Sequence, residues 1–408
     1  MLRTASLDYH LPAGAVATRP AEPRDLARML VLRRSGDRAP EHRVVRDLPA
    51  ILRPGDLLVV NSTAVLPARF RGVRLDSGGT VDGLYLHRWA DGAGDAPPGP
   101  DSDGPLRWAV LLKARRTRPG VRIGLADSVG NPSGLFLRVL GRAGEPSPPG
   151  TAPGAPEAAR AWAVEVEGAP RGMTTPEVLA RIGLTPLPPY IRQARKAHGR
   201  QPDERGDRGA YQTVFADPDQ AESVAAPTAG LHFTPALLAA VEAAGVTIAR
   251  VVLHVGAGTF RPVEAEFVEE HTMHAEWCLV PAETVERVGR ARAVGGRVVA
   301  VGTTAARTLE SFDLGPGARG DLAAWTRLLI TPGYRFRNVD ALLTNFHLPR
   351  STLLALVAAF LGPGAPDTTS APEDHAAACA RRVIDAYGLA LEAGYRFYSF
   401  GDAMLILP

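Results

Sequence analysis

The sequence predicts an α/β protein whose main domain is interrupted by a small all-β unit. From Thr175 onward, helical and strand patterns alternate, which is typical of helices packed on a sheet. Between about residues 70 and 165 the pattern changes to short strand-like runs separated by Pro/Gly-rich stretches, which indicates a sandwich or a barrel. A chain of 408 residues has room for about two to three domains.

The first third of the chain supplies elements of both units. Residues 29–32 are an apolar run, residues 47–52 have the pattern of a short helix, and residues 56–61 (DLLVVN) have that of a buried strand. The strand-like runs of the all-β unit are residues 83–86, 108–112, 135–140 and 162–166. The stretches 91–105 and 143–158 are rich in breakers and polar residues, so we expect flexible loops there.

The next elements follow from cap and turn residues. Residues 175–182 predict a helix, the Pro-rich residues 186–192 predict an extended segment, and the charged residues 192–208 predict an exposed loop. Thr234 is a good N-cap for a helix that begins at Pro235 and ends near Gly245. The apolar residues 246–255 then predict a strand that ends at Gly256.

The last part of the chain repeats this alternation. Residues 297–301 predict a strand that leads into a helix at residues 305–312, and residues 340–344 predict another strand. Ser351 is the predicted N-cap of a helix that runs to about residue 361. Residues 395–407 predict a final pair of strands.

Composition limits the class of protein. Hydrophobic content is 45% and charged content 22%, both ordinary for a globular protein. Two cysteines are too few for a disulfide framework, the N-terminus has no apolar signal core, and the longest apolar run, residues 353–361, is far below the ~20 residues of a membrane span. We therefore expect a cytoplasmic protein without a membrane anchor. The net charge of +3 permits a polyanionic partner without requiring one.

Polar loops follow several of the predicted strands, and open α/β sheets bind ligands at the carboxyl ends of strands. Backbone N–H groups at a helix start, with adjacent hydroxyls, suit a carboxylate or a ribose, and Arg307 could clamp a carboxylate. Together the loops would build an enzyme pocket. The candidate residues in these loops are Thr228, His232, His254, Gly256, Gly258, Thr303, Thr304, Arg307, Asn345 and His347.

Each loop also has a simpler interpretation. Gly256-Ala-Gly258 lacks the third glycine of a dinucleotide fingerprint, so a tight turn explains it equally well. Thr303 or Thr304 could serve only as an N-cap. Asn345 and the histidine two residues later could merely satisfy the backbone of a buried loop.

The pattern His271-x-x-His274-x-Glu276 brings two imidazoles close to a carboxylate. Its spacing is not that of the zinc-protease motif His-Glu-x-x-His, so we expect no metal. A histidine–carboxylate pair can poise a proton near neutral pH, which favours general acid–base work. Surface polar residues are the simpler alternative.

Three basic stretches, residues 69–74, 113–118 and 192–208, could contact phosphates. A solvated face explains any one of them as well. Aromatic content is only 6%, which does not indicate a base-stacking platform.

Several motifs together resemble the S-adenosylmethionine:tRNA ribosyltransferase-isomerase family of queuosine biosynthesis, collinearly and over nearly the whole chain. The motifs begin at Val224 (VAAPTAGLHFT), Leu253 (LHVGAGTFRPV), His271 (HTMHAE), Val301 (VGTTAARTLES), Leu343 (LTNFHLPRSTLL) and Tyr395 (YRFYSFGDAMLI). Shorter matches begin at Glu22 (EPRD), Arg53 (RPGD), Pro67 (PAR), Pro186 (PLPPYI) and Tyr211 (YQTV).

The resemblance implies a fold and a reaction. The fold is a mixed α/β (α+β) main domain, residues 1–69 and 166–408, with a small β-barrel domain inserted at residues 70–165. The reaction moves the ribosyl part of S-adenosylmethionine onto 7-aminomethyl-7-deazaguanine in the tRNA anticodon and isomerises it. Epoxyqueuosine-tRNA, adenine and methionine result. Neither a metal nor a cofactor is implied, because S-adenosylmethionine is a substrate. We also expect a monomer.

Residue roles follow from this chemistry as expectations. Proton transfer is assigned to His232, His271, His274 and Glu276. Substrate binding is assigned to Thr228, His254, Gly256, Gly258, Thr259, Arg261, Thr303, Thr304, Arg307, Asn345 and His347. Contacts to RNA are assigned to Arg69, Lys113, Arg115, Arg116 and Arg192.

The sequence departs from the family pattern at positions outside the pocket motifs. Ala64 stands where the family has an arginine, and Gln193, Ala210 and Arg327 also differ from it. These departures leave two alternatives open. One is a relative that transfers the ribosyl group to a small acceptor, and the other is a non-catalytic RNA-binding relative.

Overall fold

The computed structural model describes residues 1–89, 104–143, 161–256, 262–364 and 372–408. Within these residues the chain forms a nine-stranded sheet, a closed six-stranded barrel and a two-stranded ribbon. The predicted α/β main domain with an inserted small β-barrel is therefore confirmed as a fold class. The predicted division of the chain at residues 69–70 and 165–166 stays a prediction.

The main sheet has the strand order β15-β13-β12-β3-β14-β16-β17-β1-β2. Its strands are β1 (Arg28–Arg33), β2 (Glu41–Val44), β3 (Leu57–Asn61), β12 (Thr247–Leu253), β13 (Glu276–Val280), β14 (Val298–Val301), β15 (Leu322–Thr326), β16 (Ala341–Asn345) and β17 (Ala403–Leu407). The ribbon pairs β4 (Thr63–Val65) with β11 (Asp217–Ser223). The barrel strands are β5 (Arg69–Arg74), β6 (Thr80–Arg88), β7 (Arg107–Lys113), β8 (Arg122–Ala126), β9 (Pro132–Arg142) and β10 (Trp162–Glu167).

Helices cover both faces of the main sheet and join it to the barrel. They are α1 (Leu48–Ile51), α2 (Thr175–Ile182), α3 (Pro189–Ala197), α4 (Glu204–Ala210), α5 (Pro235–Ala243), α6 (Ala282–Ala293), α7 (Gly302–Glu310), α8 (Thr352–Leu361) and α9 (Pro372–Glu392). Among the described residues, no helix is both long and apolar enough to cross a membrane.

Strand β3 shows why the central strands are continuous apolar runs. Leu57 and Val59 face the core under α6 to α9, whereas Leu58 and Val60 face the core under α1 and α5. A parallel strand with helices on both faces has no polar side, so residues 57–60 are all apolar, and the strand ends at the polar Asn61. The barrel has its own core, in which Phe70 fills the space beside Gly83 so closely that a Cβ there would lie 2.1 Å from the ring.

The cap residues predicted for two helices are confirmed. The Thr234 hydroxyl accepts a hydrogen bond from Leu237 N at 3.1 Å, and the Ser351 hydroxyl accepts one from Leu354 N at 3.2 Å. Both caps precede helices that present apolar faces to the core, so the starts of α5 and α8 are set by local sequence.

The segment predicted as extended over residues 186–192 becomes helical from Pro189, and the loop predicted for residues 192–208 is largely two helices, although most of its residues are exposed as expected. Pro189 occupies the first position of α3, which a proline suits because its missing N–H would be unpaired there in any case. Helix α4 follows, and the two helices are joined by an ion pair between Arg195 and Asp207, both buried. Tertiary pairing therefore buries charges that the sequence pattern indicates as solvated.

The predicted final strand pair is also wrong, because only β17 forms. It pairs with β16 and β1 instead of folding back on residues 395–402. In that segment the Asp402 carboxylate accepts hydrogen bonds from the backbone N–H groups of Arg28 and Arg396, at 3.1 and 2.8 Å. These bonds close an irregular turn in which Tyr398 has φ +72°.

Candidate active site

Strand directions bring the predicted polar loops to one edge of the main sheet. Strands β12, β3, β14 and β16 are neighbours and all run parallel, so their carboxyl ends lie together. Strand β13 runs antiparallel to β12, which puts its first residue, Glu276, at the same edge. The segments after β12, β14 and β16 therefore converge, as the sequence predicted, and they meet the amino end of β13.

The segment Thr228–His232 forms a 3₁₀ turn packed against this edge. Gly230 is required there, because a Cβ would lie 2.6 Å from the ring of Phe215. Gly302, with φ +89°, lets the chain pass from β14 directly into α7, and a Cβ at this position would lie 3.5 Å from that of Ala229. Gly230 thus lets the turn pack against Phe215, and Gly302 supplies the positive φ at the start of α7.

His232 is held by Asn345, the last residue of β16. The amide nitrogen Nδ2 lies 3.1 Å from His232 Nε2 and 3.2 Å from the carbonyl oxygen of Tyr398. The carbonyl can only accept, so the amide group must turn its N–H side toward both partners. His232 Nε2 is therefore an acceptor, and in the neutral ring the proton is on Nδ1.

Burial keeps the His232 imidazole neutral. It lowers the pKa to about 4, more than the nearby Asp402 carboxylate raises it, and the charges of Arg396 and Arg24 lower it further. At neutral pH the ring is an uncharged group with a fixed tautomer. The ring can donate a hydrogen bond from Nδ1, but it does not carry a positive charge at this pH.

His347 lies two residues after Asn345 and is also buried. Its Nε2 lies 2.8 Å from the Thr344 hydroxyl, and its backbone N–H donates to the Tyr387 hydroxyl at 2.9 Å. The Tyr9 hydroxyl donates to the His347 carbonyl oxygen. Burial lowers the pKa of His347 to about 3, so this side chain too is neutral. These bonds hold the loop after β16 rigidly in place.

A small cavity of about 30 Å³ lies against this loop. It is lined by Tyr190, Thr228, Asn345, Phe346, His347, Leu348, Ser351, Leu353, Tyr398 and Ser399. Such a volume holds about one water molecule, whereas pockets for nucleoside-sized ligands have roughly 300 Å³ or more. The cavity between these residues is therefore smaller than a site for a nucleoside.

Glu276 and Arg307 form a buried ion pair at the other side of the edge. Arg307 Nη1 donates to Glu276 Oε2, and the second carboxylate oxygen accepts the backbone N–H of Gly256 at 2.9 Å. Arg307 Nε donates to the carbonyl oxygen of Leu328 at 3.1 Å. The carboxylate predicted for proton transfer and the arginine predicted as a clamp thus bind each other and hold the segment after β12. Arg307 Nη2 is left without a hydrogen-bond partner among the described residues.

Thr303 and Thr304 lie in the first turn of α7 and are both buried. The alternative that one of them is the N-cap is wrong, because the N-cap is Val301 and no side chain caps this helix. The Thr304 hydroxyl has no hydrogen-bond partner among the described residues. The α7 start therefore combines uncapped backbone N–H groups with a buried hydroxyl, an arrangement suited to an anionic or hydroxyl-bearing ligand.

His271 and His274 lie close together on the segment that leads into β13. Burial lowers the pKa of His271, the neighbouring His274 lowers it further, and Glu264 raises it. His254 follows β12, and its Nδ1 lies 3.0 Å from the Thr63 hydroxyl. Burial lowers the pKa of His254 to about 4. The predicted histidines thus lie in three places: His232 and His347 around Asn345, His271 and His274 before β13, and His254 beside Thr63.

Of the predicted residues after β12, Gly256 is described and bonds to Glu276. Gly258, Thr259 and Arg261 lie outside the described residues. Within the described part of the chain, no group of three or more His, Cys, Asp or Glu side chains is placed to hold a metal ion. The expectation of no metal and no cofactor stays a prediction.

The residues predicted to contact RNA lie on and beside the barrel. Arg69 begins β5 and Lys113 ends β7, while Arg192 lies on α3. Arg115 and Arg116 follow β7, and their carbonyl oxygens accept hydrogen bonds from Arg74. The structure brings Arg69, Lys113 and Arg192 to one region, and the Arg115 side chain is exposed nearby on the chain.

Sequence reasoning missed the part of the site formed by α3 and the turn before β17. Tyr190, Tyr398 and Ser399 line the small cavity, and the Tyr190 hydroxyl is hydrogen-bonded to Ser399. The tyrosines lie in the motifs that begin at Pro186 and Tyr395, but no spacing links these motifs along the chain. Only the positive φ of Tyr398, which strains a non-glycine residue, marks the turn as unusual.

Comparisons with known proteins agree with the motifs. A family model described as "Queuosine biosynthesis protein" matches residues 4–406. The chain is 42% identical over 407 residues to the S-adenosylmethionine:tRNA ribosyltransferase-isomerase of Moorella thermoacetica, covering 100% of both chains. It is 45% identical over 413 residues to that of Rhodopseudomonas palustris, covering 99% of this chain and 98% of the relative.

A solved structure is also similar. The crystal structure of an S-adenosylmethionine tRNA ribosyltransferase from Thermotoga maritima is 30% identical and covers 98% of this chain and 100% of that chain, with a TM-score of 0.48. The resemblance predicted from the motifs is confirmed by the identities over the full length. The chain belongs to the queuosine biosynthesis protein family, together with relatives named S-adenosylmethionine:tRNA ribosyltransferase-isomerase.

Proposed function

We propose that this protein transfers the ribosyl group of S-adenosylmethionine to 7-aminomethyl-7-deazaguanine in tRNA and isomerises it. The products are epoxyqueuosine-tRNA, adenine and methionine. The observation that carries the proposal is the convergence, at one edge of the main sheet, of five of the motifs that resemble the family. These motifs are separate stretches of the chain between Val224 and Leu354, and each supplies polar groups to that edge.

The reaction needs a base, because the sulfonium of S-adenosylmethionine acidifies the adjacent ribose carbon. We assign this base to the pair His271 and His274 rather than to His232. The Nε2 lone pair of His232 already accepts a hydrogen bond from Asn345. The lowered pKa of His271 favours a neutral ring near pH 7, as a general base requires.

His232 then has a different role in the proposal. Its neutral ring, with the proton on Nδ1, can donate a hydrogen bond to the departing adenine without carrying charge. Asn345 Oδ1 is buried without a hydrogen-bond partner among the described residues, so it is an acceptor available to an N–H group of the substrate. The two side chains would bind a nitrogen heterocycle in one orientation.

The α7 start would bind the oxygen-rich parts of S-adenosylmethionine. Uncapped N–H groups, the Thr304 hydroxyl and Arg307 Nη2 are donors that can meet a carboxylate or ribose oxygens. Thr303 lies in the same turn. Glu276 would act by holding Arg307 and Gly256 in position rather than by moving a proton.

The finer partner assignments are part of the same proposal. The acceptor is the tRNA anticodon stem-loop, which Arg69, Lys113, Arg115, Arg116 and Arg192 contact through phosphates. His254, Gly256, Gly258, Thr259, Arg261 and His347 line the S-adenosylmethionine pocket together with Thr228. We further propose that the protein works in the cytoplasm as a monomer.

One assay tests the proposed reaction. The protein is mixed with S-adenosylmethionine and an anticodon stem-loop that carries the deazaguanine, and adenine and methionine are measured by mass spectrometry. Release that depends on the RNA is the expected result. Release with the free deazapurine base alone would instead indicate a small-molecule acceptor, and stem-loop binding without release would indicate a non-catalytic protein.

A further inference from the structure

A row of charged side chains crosses three strands on the outer face of the barrel. Asp82 on β6 is paired with Arg71 on β5 and with Lys113 on β7. Directly opposed residues of antiparallel strands point to the same side, with Cβ atoms about 5 Å apart. Arg71 and Asp82 are both about half exposed, at 54% and 55% of their side chains. A carboxylate thus lies between two solvent-accessible cations.

Two further arginines extend this row toward the main sheet. Arg69 lies two residues before Arg71, and its Nη2 is 3.4 Å from Asp82 Oδ1. Arg192 reaches the same place from α3. Burial lowers the pKa of Arg192 most, the nearby charges of Arg69 and Arg71 lower it further, and Asp82 raises it. Backbone hydrogen bonds between Arg69 and Leu184 hold β5 against the segment that precedes α3.

These cations are only weakly engaged by the protein. Arg71 Nε lies 4.0 Å from Asp82, and the Arg69 contact of 3.4 Å is also longer than a strong ion pair. Elsewhere on the barrel, Glu165 accepts a hydrogen bond from Arg107 at 3.0 Å, as Glu167 does from Arg138. That second group has two carboxylates for three arginines, since Glu167 also pairs with Arg122 at 2.8 Å, whereas the first has four cations around one carboxylate.

Helix α3 links the row of cations to the candidate active site. Tyr190, in its first turn, lines the cavity beside Asn345. Arg192 is two residues further along the same helix. Helix α3 therefore carries, within one turn, a residue that lines the cavity and a residue of the row of cations.

We propose that Arg69, Arg71, Lys113 and Arg192, here called the Asp82 cluster, bind the phosphate backbone of the RNA substrate. In the free protein Asp82 occupies the place that a phosphate takes on binding, so RNA must displace it. The carboxylate lowers affinity for any polyanion and thereby limits binding of RNA that makes no further contact with the active site. This inference rests on the proposed function, because it takes RNA as the substrate.

The test measures binding of a fluorescently labelled anticodon stem-loop RNA by anisotropy at several salt concentrations. Asp82→Asn removes the competing charge and is expected to tighten binding by about two- to fivefold, the size of an exposed charge interaction. Arg71→Gln is expected to weaken binding by about three- to tenfold and to reduce the slope of log affinity against log salt by ~0.7 to 0.9, the loss of one phosphate contact.

Glu41→Gln is the matched control. Glu41 pairs with Arg43 on edge strand β2 and is similarly exposed, at 40% of its side chain, but lies at the far end of the sheet order from β12 and β13. Glu41→Gln, like Asp82→Asn, removes one negative charge from an exposed carboxylate–arginine pair, and it should leave RNA affinity unchanged. Circular dichroism establishes that each variant is folded.

The outcomes separate this inference from the proposed reaction. The inference about the Asp82 cluster is wrong if Asp82→Asn binds the stem-loop no more tightly than the wild type, or if Glu41→Gln tightens binding equally. This holds even when the wild type releases adenine. A second outcome is that the wild type releases no adenine while Asp82→Asn and Arg71→Gln shift RNA affinity in opposite directions. In that case the proposed reaction is wrong, and the inference that the Asp82 cluster binds RNA is supported.

Discussion

The carboxyl edge of the main sheet and the outer face of the barrel both pair a carboxylate with arginine, yet the pairs differ in every physical respect. Glu276 and Arg307 are each about 5% exposed, and both carboxylate oxygens have fixed partners. Asp82 is more than half exposed and touches its arginines at 3.4 and 4.0 Å. The first pair is part of the folded core, and the second is a loose surface contact.

Under the proposed function, the difference would separate chemistry from binding. Neutral histidines with a fixed tautomer need burial, because water would raise the pKa of each ring toward its ordinary value of about 6.5. Attraction of a polyanion needs exposed charges that can exchange one partner for another, which burial would prevent. The two regions therefore lie on different structural units and meet through α3.

The largest expected effect comes from breaking the buried pair. Arg307→Met leaves Glu276 buried without its cation, and we expect the free energy of unfolding to fall by about 3–5 kcal/mol. Arg71→Met on the barrel should cost no more than about 1 kcal/mol. Urea unfolding followed by circular dichroism measures both. Equal losses would mean that burial does not distinguish the two pairs.

The next effect concerns activity. His232→Ala removes the oriented imidazole beside Asn345, and we expect kcat for adenine release to fall about 100-fold or more, within the range for proton-transfer and hydrogen-bonding groups. The exposed His198→Ala is the control and should behave like the wild type. A loss confined to KM for RNA would assign His232 to the binding region and contradict the comparison.

A smaller effect is the dependence of stability on pH. The pKa of His232 is about 4 and that of His347 about 3, both below the ordinary value. Below about pH 6.5 the unfolded chain therefore binds protons that the folded protein excludes, so stability present at neutral pH is lost as the pH falls. By pH 5 we expect a loss of about 2 kcal/mol for each buried histidine.

This pH effect can be assigned to the sheet edge by substitution. In His347→Gln, the fall in the free energy of unfolding between pH 7 and pH 5 should be smaller by about 2 kcal/mol than in the wild type. Asp82→Asn on the barrel should retain the full fall. A pH dependence that His347→Gln leaves unchanged would show that this ring is protonated in the folded protein.

The smallest effect tests the barrel alone. Glu165 accepts hydrogen bonds from Arg107 and Arg138 on the barrel surface. Glu165→Gln should lower the free energy of unfolding by at most about 1 kcal/mol, and by less at high salt, because water and ions screen such pairs. A loss as large as that of Arg307→Met would place the barrel surface in the same energetic class as the sheet edge.

Local rules predicted much of the main domain. Thr234 and Ser351 were recognised as caps because an N-cap bond joins residues three apart, and β3 was recognised because a strand buried on both faces is apolar throughout. The same rules failed at residues 186–208, where the Arg195–Asp207 pair stabilises helices that composition alone did not indicate. The local rules failed again at residues 395–402, where Asp402 accepts a hydrogen bond from the backbone N–H of Arg28 at the start of the neighbouring strand β1.

The candidate site divides in the same way. The polar loops and their approximate convergence followed from strand ends in an α/β sheet, because parallel neighbours end at one edge. The hydrogen-bond and ion-pair partners of these residues could not be predicted from the strand ends. The pattern placed Glu276 beside His274, but it did not reveal that β13 begins at Glu276 or that its carboxylate binds Arg307 and the Gly256 N–H. The position of Tyr190 in the cavity was not predicted, because α3 was not predicted.

The sequence by itself determined the class of fold, the helix caps, the family and the set of polar residues from which a site can be built. Those properties depend on local hydrogen bonds, on hydrophobic period and on motifs that can be read along the chain. Only the tertiary structure decided which histidine nitrogen is already occupied, which arginine is already paired and which carboxylate stands among surface cations. Burial and through-space contact set these states, and they join residues as far apart as His232 and Asn345.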